Sequence, residues 1–319
     1  MPNMVKRLPA EWEPQDAVLL AWPHEKTDWA PVLESAQETF RTIASVIQGY
    51  EKVIFVHPES YDIPTNDTWA RDFGPITIEE DGQPVLLDFI FNGWGDKFPA
   101  DLDNEITREL HSRGALGNTP LRSIDYILEG GSIESDGAGT ILTTTKCLLN
   151  PNRNPQFSKS QIEDRLREEF GAHTTLWLEH GELAGDDTDA HIDTLARLCP
   201  EKTIVYQACT DPADEHFEEL KAMENELKAF ADFRLLRLPW PSAKSDVEGH
   251  RLPATYANYL VINRAVLVPI YNDPADEAAM EVIQEAYPER DIVGIDCSTL
   301  LLQHGSLHCV TMQIPKGVL

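Results

Sequence analysis

Basic side chains are scarce in this sequence. Against 54 Asp and Glu there are 26 Lys and Arg, a formal net charge of −28. A field of that sign repels nucleic acid and draws in small cations. Most of the charge is accounted for by a solvated acidic surface that keeps the chain in solution. Long hydrophobic runs are missing as well: no stretch nears the roughly 20 apolar residues of a membrane helix. The opening segment MPNMVKRLPAEWEP has basic residues but no apolar run behind them, so neither a membrane span nor a secretory leader is expected, and a cytoplasmic location is. Cysteine is sparse. Cys147, Cys199, Cys209, Cys297 and Cys309 are odd in number and irregular in spacing. That excludes a disulfide framework and a thiolate zinc site, and leaves at least one free thiol. No linker divides the chain. With 42% hydrophobic residues it can bury a sizeable core, and residues 1–319 read as one domain.

What is present is a repeat. Five helix-spaced stretches are each followed by a strand-like run: 31–48 then 53–57, 104–113 then 122–127, 158–170 then 174–179, 214–229 then 234–238, and 276–286 then 291–295. Ser158 (with Glu163 nearby), Asp214 and Asp276 are the expected helix caps. Hairpin-like pairs lie between: 76–79 with 84–89, 132–134 with 139–144, 194–199 with 203–207, and 259–262 with 265–269. Residues 310–314 end the series, and 17–22 are their expected partner. One unit, strand–turn–strand–helix–strand, thus recurs about every sixty residues. An α/β ring of such units brings one position of each unit to a common axis. The loop 239–253 reads as a lid over a site or as a plain surface loop.

Polar residues recur just before the first hairpin strand: Asp72, Glu129, the pair His191 and Asp193, and Cys309, with Tyr256 and Asn258 in the fourth unit. A free cysteine is usually an inert buried hydrophobe, and that reading stands for the other four thiols. Cys309 differs by its place in the repeat. His191 and Asp193, two residues apart, would face one side of a strand, and a histidine beside a carboxylate can act as a general acid or base. The acidic run Asp186, Asp187 and Asp189 fails the calcium-loop template, with no glycine at its sixth position and Leu198 at its twelfth. A thiol–histidine pair alone suits a peptidase. Three carboxylates beside it fit a planar, permanently cationic guanidinium.

The motifs WEPQDAVLLAWP, NDTWARDFGP, FNGWGDKF, EGGSIESDG, NRNP, DAHIDTLAR, DPADEAA and LHCVTMQIP together resemble the agmatine deiminase family of the guanidine-modifying enzymes, related to the bacterial type of peptidylarginine deiminase. The resemblance covers nearly the whole chain. It implies a five-bladed α/β propeller (pentein) with pseudo-fivefold repeats. It implies roles too: Cys309 as nucleophile, His191 as general acid/base, Asp72 and Asp193 as holders of the guanidinium, and Glu129 as partner of the histidine or the substrate. Trp69 lines the channel, and Asp187 is the candidate for a distal amine. The chain departs from the family pattern at Gln303 and His304, where glycines are usual, at Ala190 in place of glycine, and in WARDFGP for WMRDTGP.

The implied chemistry is hydrolysis of agmatine to N-carbamoylputrescine and ammonia through a covalent thiouronium, a step of polyamine metabolism and putrescine biosynthesis. No metal or organic cofactor is expected. The partner is a small cationic guanidine, and the family expectation for assembly is a homodimer. The rival substrates are peptidyl-arginine, free arginine and methylated arginine; recognising an amino-acid carboxylate would call for a base such as Lys97, Arg153 or Arg251 at the channel mouth. A non-catalytic guanidine- or polyamine-binding protein is the third reading, against which the retention of both Cys309 and His191 speaks.

Overall fold

A computed structural model describes residues 5–319; Met1–Met4, the head of the opening segment considered above, lie outside the described residues. The fold is mixed α/β. In four successive units a hairpin supplies an antiparallel pair, and a helix then returns the chain to a third strand parallel to the second. These sheets are Ile76–Glu80, Gln83–Ile90 and Leu121–Ile127; Ile133–Ser135, Thr140–Thr144 and Thr174–Leu178; Ala196–Cys199, Thr203–Gln207 and Arg234–Leu238; Leu260–Ile262, Ala265–Ile270 and Asp291–Asp296. The fifth sheet has the same order but draws on both ends of the chain. Met312–Pro315 runs antiparallel to Gln15–Ala21, which runs parallel to Lys52–Val56. Lys6–Arg7 adds an edge strand to the first sheet. The sheets are separate, and among the described residues none closes on itself.

The helices form because their apolar residues fall on one stripe. Leu33–Gln48 buries Ala36, Phe40, Ile43, Ala44 and Ile47, and Asp276–Ala286 buries Ala279, Ile283 and Ala286. The middle strands are buried on both faces, as in Thr203–Gln207, which is why they read as continuous apolar runs rather than alternations. No helix among the described residues is long and apolar enough to cross a membrane.

The caps partly differ from expectation. Ser158 is the N-cap of Lys159–Phe170, but its backbone N–H is met by Gln161 Oε1 at 2.9 Å, while Glu163 accepts from Trp177 Nε1. His216 and Ala275 precede the other two helices. Asp214 is held instead by His216, Trp240 and Arg251, and Asp276 by Tyr271 and Tyr256. In each case the loop offers the carboxylate more donors than the helix end does. His191 and Asp193 are not on a strand. Residues Ile192–Thr194 form a tight helical turn closed by Thr194 Oγ1 on His191 O at 2.8 Å, and pairing begins only at Ala196. Short turns also precede the other hairpins, at Ala70–Phe73 and Gly130–Ser132. The segment 239–253 contains a small hairpin, Lys244–Ser245 with Arg251–Leu252, whose tip residue Val247 is fully exposed.

Ile314 is wholly buried and pairs with Ala17 across the chain ends. Ile314→Ala should lower unfolding free energy by about 2–5 kcal/mol in a denaturant titration. A loss too small to measure would show that this pairing is dispensable.

Candidate active site

A cleft with a cavity volume of about 420 Å³ opens on the molecule. Its buried lining includes Trp69, Asp72, Trp94 and Cys309, and its exposed lining includes Lys26, Asp28, Phe98 and Leu102. Asp67, Asp103, Asp186 and Asp187 add further carboxylates, so the lining is strongly acidic. Burial and the neighbouring Asp28 raise the Asp67 carboxyl to about 6, and burial pushes Asp103 up to about 8. The indole of Trp69 lies against Trp29 and Trp94, with ring centroids 5.6 and 6.4 Å away. Gly305 passes under it so closely that a Cβ there would lie 2.2 Å from the ring.

At the buried end three carboxylates surround the thiol and the imidazole. Asp72 accepts from Trp94 Nε1 at 2.9 Å and from Gly131 N at 3.0 Å, with His191 Nδ1 3.6 Å from Oδ1. Burial, opposed by His191 and reinforced by Asp193, raises its pKa to about 6. Asp193 accepts from His308 Nδ1 at 2.8 Å through Oδ2, while its Oδ1 is buried with no partner among the described residues. Burial alone would raise the Asp193 pKa; the His308 contact outweighs it and the pKa is lowered. Glu129 gives both oxygens to Arg153 Nε at 2.8 and 3.0 Å, and both side chains are fully buried.

His191 is fully buried, and neither ring nitrogen has a hydrogen-bond partner among the described residues. Burial pulls its pKa down, but Asp72, Cys147 and Glu129 outweigh that and raise it to about 10. Cys309 Sγ lies 3.3 Å from Asn258 Oδ1 and 4.0 Å from Asp193 Oδ2. Burial, then Asp193 and Asp72, hold the thiol well above its ordinary pKa. Gly131 marks where the groups converge. A Cβ there would lie 2.7 Å from His191 Nδ1, 2.9 Å from Asp72 Oδ1 and 3.0 Å from Asp193 Oδ2.

The structure therefore places Trp69, Asp72 and Cys309 on the lining of the cleft and packs His191, Asp193 and Glu129, all wholly buried, behind them. Asp187 lines the cleft at a half-buried position, 3.9 Å from His304 Nδ1, and burial raises its pKa. Arg153, Lys97 and Arg251 are all committed. Arg153 bonds Glu129 and Asp189, Lys97 bonds Asp187 O and Asp189, and Arg251 bonds Asp214. Cys147, which composition alone sets aside as inert, has its sulfur within 4.8 Å of a His191 nitrogen and a Glu129 oxygen. Glu129, Cys147 and His191 have the spacing of a metal cluster, but the Arg153 guanidinium on both Glu129 oxygens opposes a cation there. Nothing in the local sequence signals the Cys147 contact. Arg153 could have been suspected from the NRNP motif. Two departures from the family pattern, Ala190 and His304, both stand at φ +63°, where glycine is favoured. Asp186 Oδ2 steadies the first by accepting from Ala190 N at 2.6 Å, and Gly185 O accepts from His304 Nδ1 at 2.7 Å.

The family described as Porphyromonas-type peptidyl-arginine deiminase matches this chain over residues 7–315. A Vibrio parahaemolyticus protein named "Putative agmatine deiminase" is 35% identical over 96% of each chain. A solved structure from Porphyromonas gingivalis, titled "Putative Arginine Deiminase", has 48% identity and a TM-score of 0.92, covering 98% of this chain and 99% of that one. A cysteine-to-serine variant of the C. jejuni agmatine deiminase, solved with substrate bound, has 40% identity and a TM-score of 0.95, covering 100% and 99%.

Gly131→Ala should cut turnover roughly a hundredfold while leaving the circular dichroism spectrum intact, because the methyl displaces groups that must meet within a fraction of an ångström. Wild-type rates in that variant would mean that the convergence around Gly131 is not the reacting geometry.

Proposed function

We propose that this chain, which belongs to the Porphyromonas-type peptidyl-arginine deiminase family, hydrolyses agmatine to N-carbamoylputrescine and ammonia, a step of polyamine metabolism. The observation that carries the reading is a buried carboxylate oxygen left unsatisfied beside the thiol. Asp193 Oδ1 lacks a partner among the described residues, and a guanidinium supplies N–H donors in one plane.

In this mechanism Asp72 and Asp193 accept the guanidinium N–H groups and fix its plane across Cys309. The cationic substrate favours loss of the thiol proton to solvent, which the carboxylates oppose in the empty site. The thiolate attacks the central carbon, forming a C–S bond. His191, charged at neutral pH, gives its proton to the departing nitrogen, and ammonia leaves as the C–N bond breaks. An S-alkylthiouronium remains. Neutral His191 then takes a proton from water, whose oxygen adds to the same carbon. Cleavage of the C–S bond releases the ureido product and restores the thiol. Glu129, braced by Arg153, stabilises the His191 imidazolium. Trp69 packs along the aliphatic chain, and Asp187 receives the distal amine. No metal or organic cofactor enters any step.

The reading extends to architecture. The five sheets of like topology form a single domain over residues 1–319, a five-bladed α/β propeller of the pentein type. Its support is the repeated strand order and the pairing of Met312–Pro315 with Gln15–Ala21. A cytoplasmic location, a homodimer and the lack of a nucleic-acid partner complete it. Peptidyl-arginine or free arginine is the second substrate reading, favoured by Lys26, a cation on the cleft lining.

Incubation with agmatine, arginine and an arginine peptide, with assay of ureido product and ammonia, separates these readings. Agmatine is expected to turn over and Cys309→Ala to be inactive. An active Cys309→Ala sinks the mechanism, and turnover of the peptide alone sinks the substrate. In the free enzyme, Cys309 alkylation by iodoacetamide should be slow at pH 7 and speed up only above the ordinary thiol range, since the pKa is raised. Labelling at pH 7 that is fast and lost in Cys309→Ala would contradict the raised pKa.

A further inference from the structure

His308 and Glu11 do not line the cleft, yet they are wired to it. The His308 ring is buried between two carboxylates. Nδ1 lies 2.8 Å from Asp193 Oδ2, and Nε2 lies 2.6 Å from Glu11 Oε2. Glu11 is itself fixed: its Oε1 accepts from Val261 N at 2.7 Å, and its Oε2 from Arg197 Nη2 at 2.8 Å. The guanidinium of Arg197 also sits 3.0 Å from His308 Nε2. Since it has no acceptor, Glu11 Oε2 is the shared acceptor of both. His308 N and Cys309 N converge on Asn258 Oδ1 at 2.9 and 3.3 Å, so the ring and the thiol are set by one anchor.

Around this histidine the carboxylates of Glu11, Glu134, Asp72 and Asp193 stand with Arg71, Arg197 and His191. His308 adds more than charge to that set. What His308 adds is direction. It occupies Oδ2 of Asp193, and Oδ1 is the oxygen left without a partner.

We infer that Glu11 and His308 are positioning residues: Glu11 orients the His308 ring so that Nδ1 holds Asp193 Oδ2 and presents Oδ1 to the guanidinium. This rests on the reading that Asp193 binds that group. The sequence signal is modest, a histidine immediately before Cys309 and a glutamate in the AEWEP segment.

Two substitutions at one position test it. An Asn amide nitrogen stands near the place of Nδ1, and a Gln amide nitrogen near that of Nε2. His308→Asn therefore keeps a donor for Asp193, whereas His308→Gln does not. With agmatine as substrate, KM should rise about tenfold or more further in His308→Gln than in His308→Asn, the worth of one hydrogen bond to a charged group. Its contact with His308 lowers the Asp193 pKa, so loss of the donor raises it, and the acid limb of kcat/KM should move to higher pH in His308→Gln. Equal KM values and unmoved acid limbs in the two variants would overturn the inference. If either variant fails to fold by circular dichroism, Glu11→Gln decides. A raised KM with the acid limb shifted upward is expected, and an unshifted profile overturns the inference. Asp193→Asn is the reference for the underlying reading: unchanged KM there sinks the role of Asp193 itself, whatever the His308 variants do. Should wild type turn over arginine or the peptide rather than agmatine, the same contrast is read on that substrate.

Discussion

Everything at this site follows from placing Asp72, Asp193 and Glu129 in a buried pocket with the Cys309 thiol and the His191 imidazole. A carboxylate out of water must find donors or take up a proton. Here each finds a different solution. Glu129 is neutralised outright by Arg153. Asp193 receives a histidine N–H and stays well ionised. Asp72 accepts hydrogen bonds from an indole and a backbone N–H, and burial lifts its pKa to about 6 against the pull of His191 3.6 Å away. The thiol, surrounded by these groups, resists ionisation. The pocket is thus short of positive charge, and what it lacks is a planar cation with several donors.

The backbone delivers these groups by one device used repeatedly. A tight turn precedes the first strand of a hairpin and projects its polar side chains before sheet pairing begins. Ala70–Phe73, Gly130–Ser132 and Ile192–Thr194 are such turns. Because the hairpin behind each is pinned by a parallel strand and a covering helix, the turn inherits a fixed position. The price of close approach is visible at Gly131, where the absence of a side chain lets His191, Asp72 and Asp193 gather.

Much of this was legible in the sequence, for physical reasons. Helices such as Leu33–Gln48 carry a 3.6-residue apolar period, and hairpins such as Ile76–Ile90 carry a turn signal, so strand order could be read before any coordinates. The recurrence of polar residues ahead of each hairpin marked Asp72, Glu129, His191, Asp193 and Cys309 as candidates by position. What could not be read were side-chain contacts between residues far apart in sequence. Arg153 meets Glu129 across 24 residues, Asn258 meets Cys309 across 51, and Glu11 meets His308 across 297. Asp214 and Asp276 look like caps locally, yet their better donors come from Trp240, Arg251 and Tyr256. The departures Ala190 and His304 were visible as letters, but only φ reveals that both occupy left-handed positions.

Farther out, the charge of the cleft lining bears on which guanidine compound fits. A free amino acid presents a carboxylate at that end, and a decarboxylated chain presents an ammonium. The bases Lys97, Arg153 and Arg251 are each held by acidic or carbonyl partners, so among the described lining residues Lys26 is the Lys or Arg left to meet an anion. The same lining carries Asp28, Asp67, Asp186 and Asp187, two of them with raised pKa values that a cation would relieve. A carboxylate entering that lining would meet like charge on carboxyls that burial already makes reluctant to ionise, whereas an ammonium would offset it. The electrostatics of the mouth therefore repeat those of the buried end, and a molecule that is cationic at both ends satisfies both.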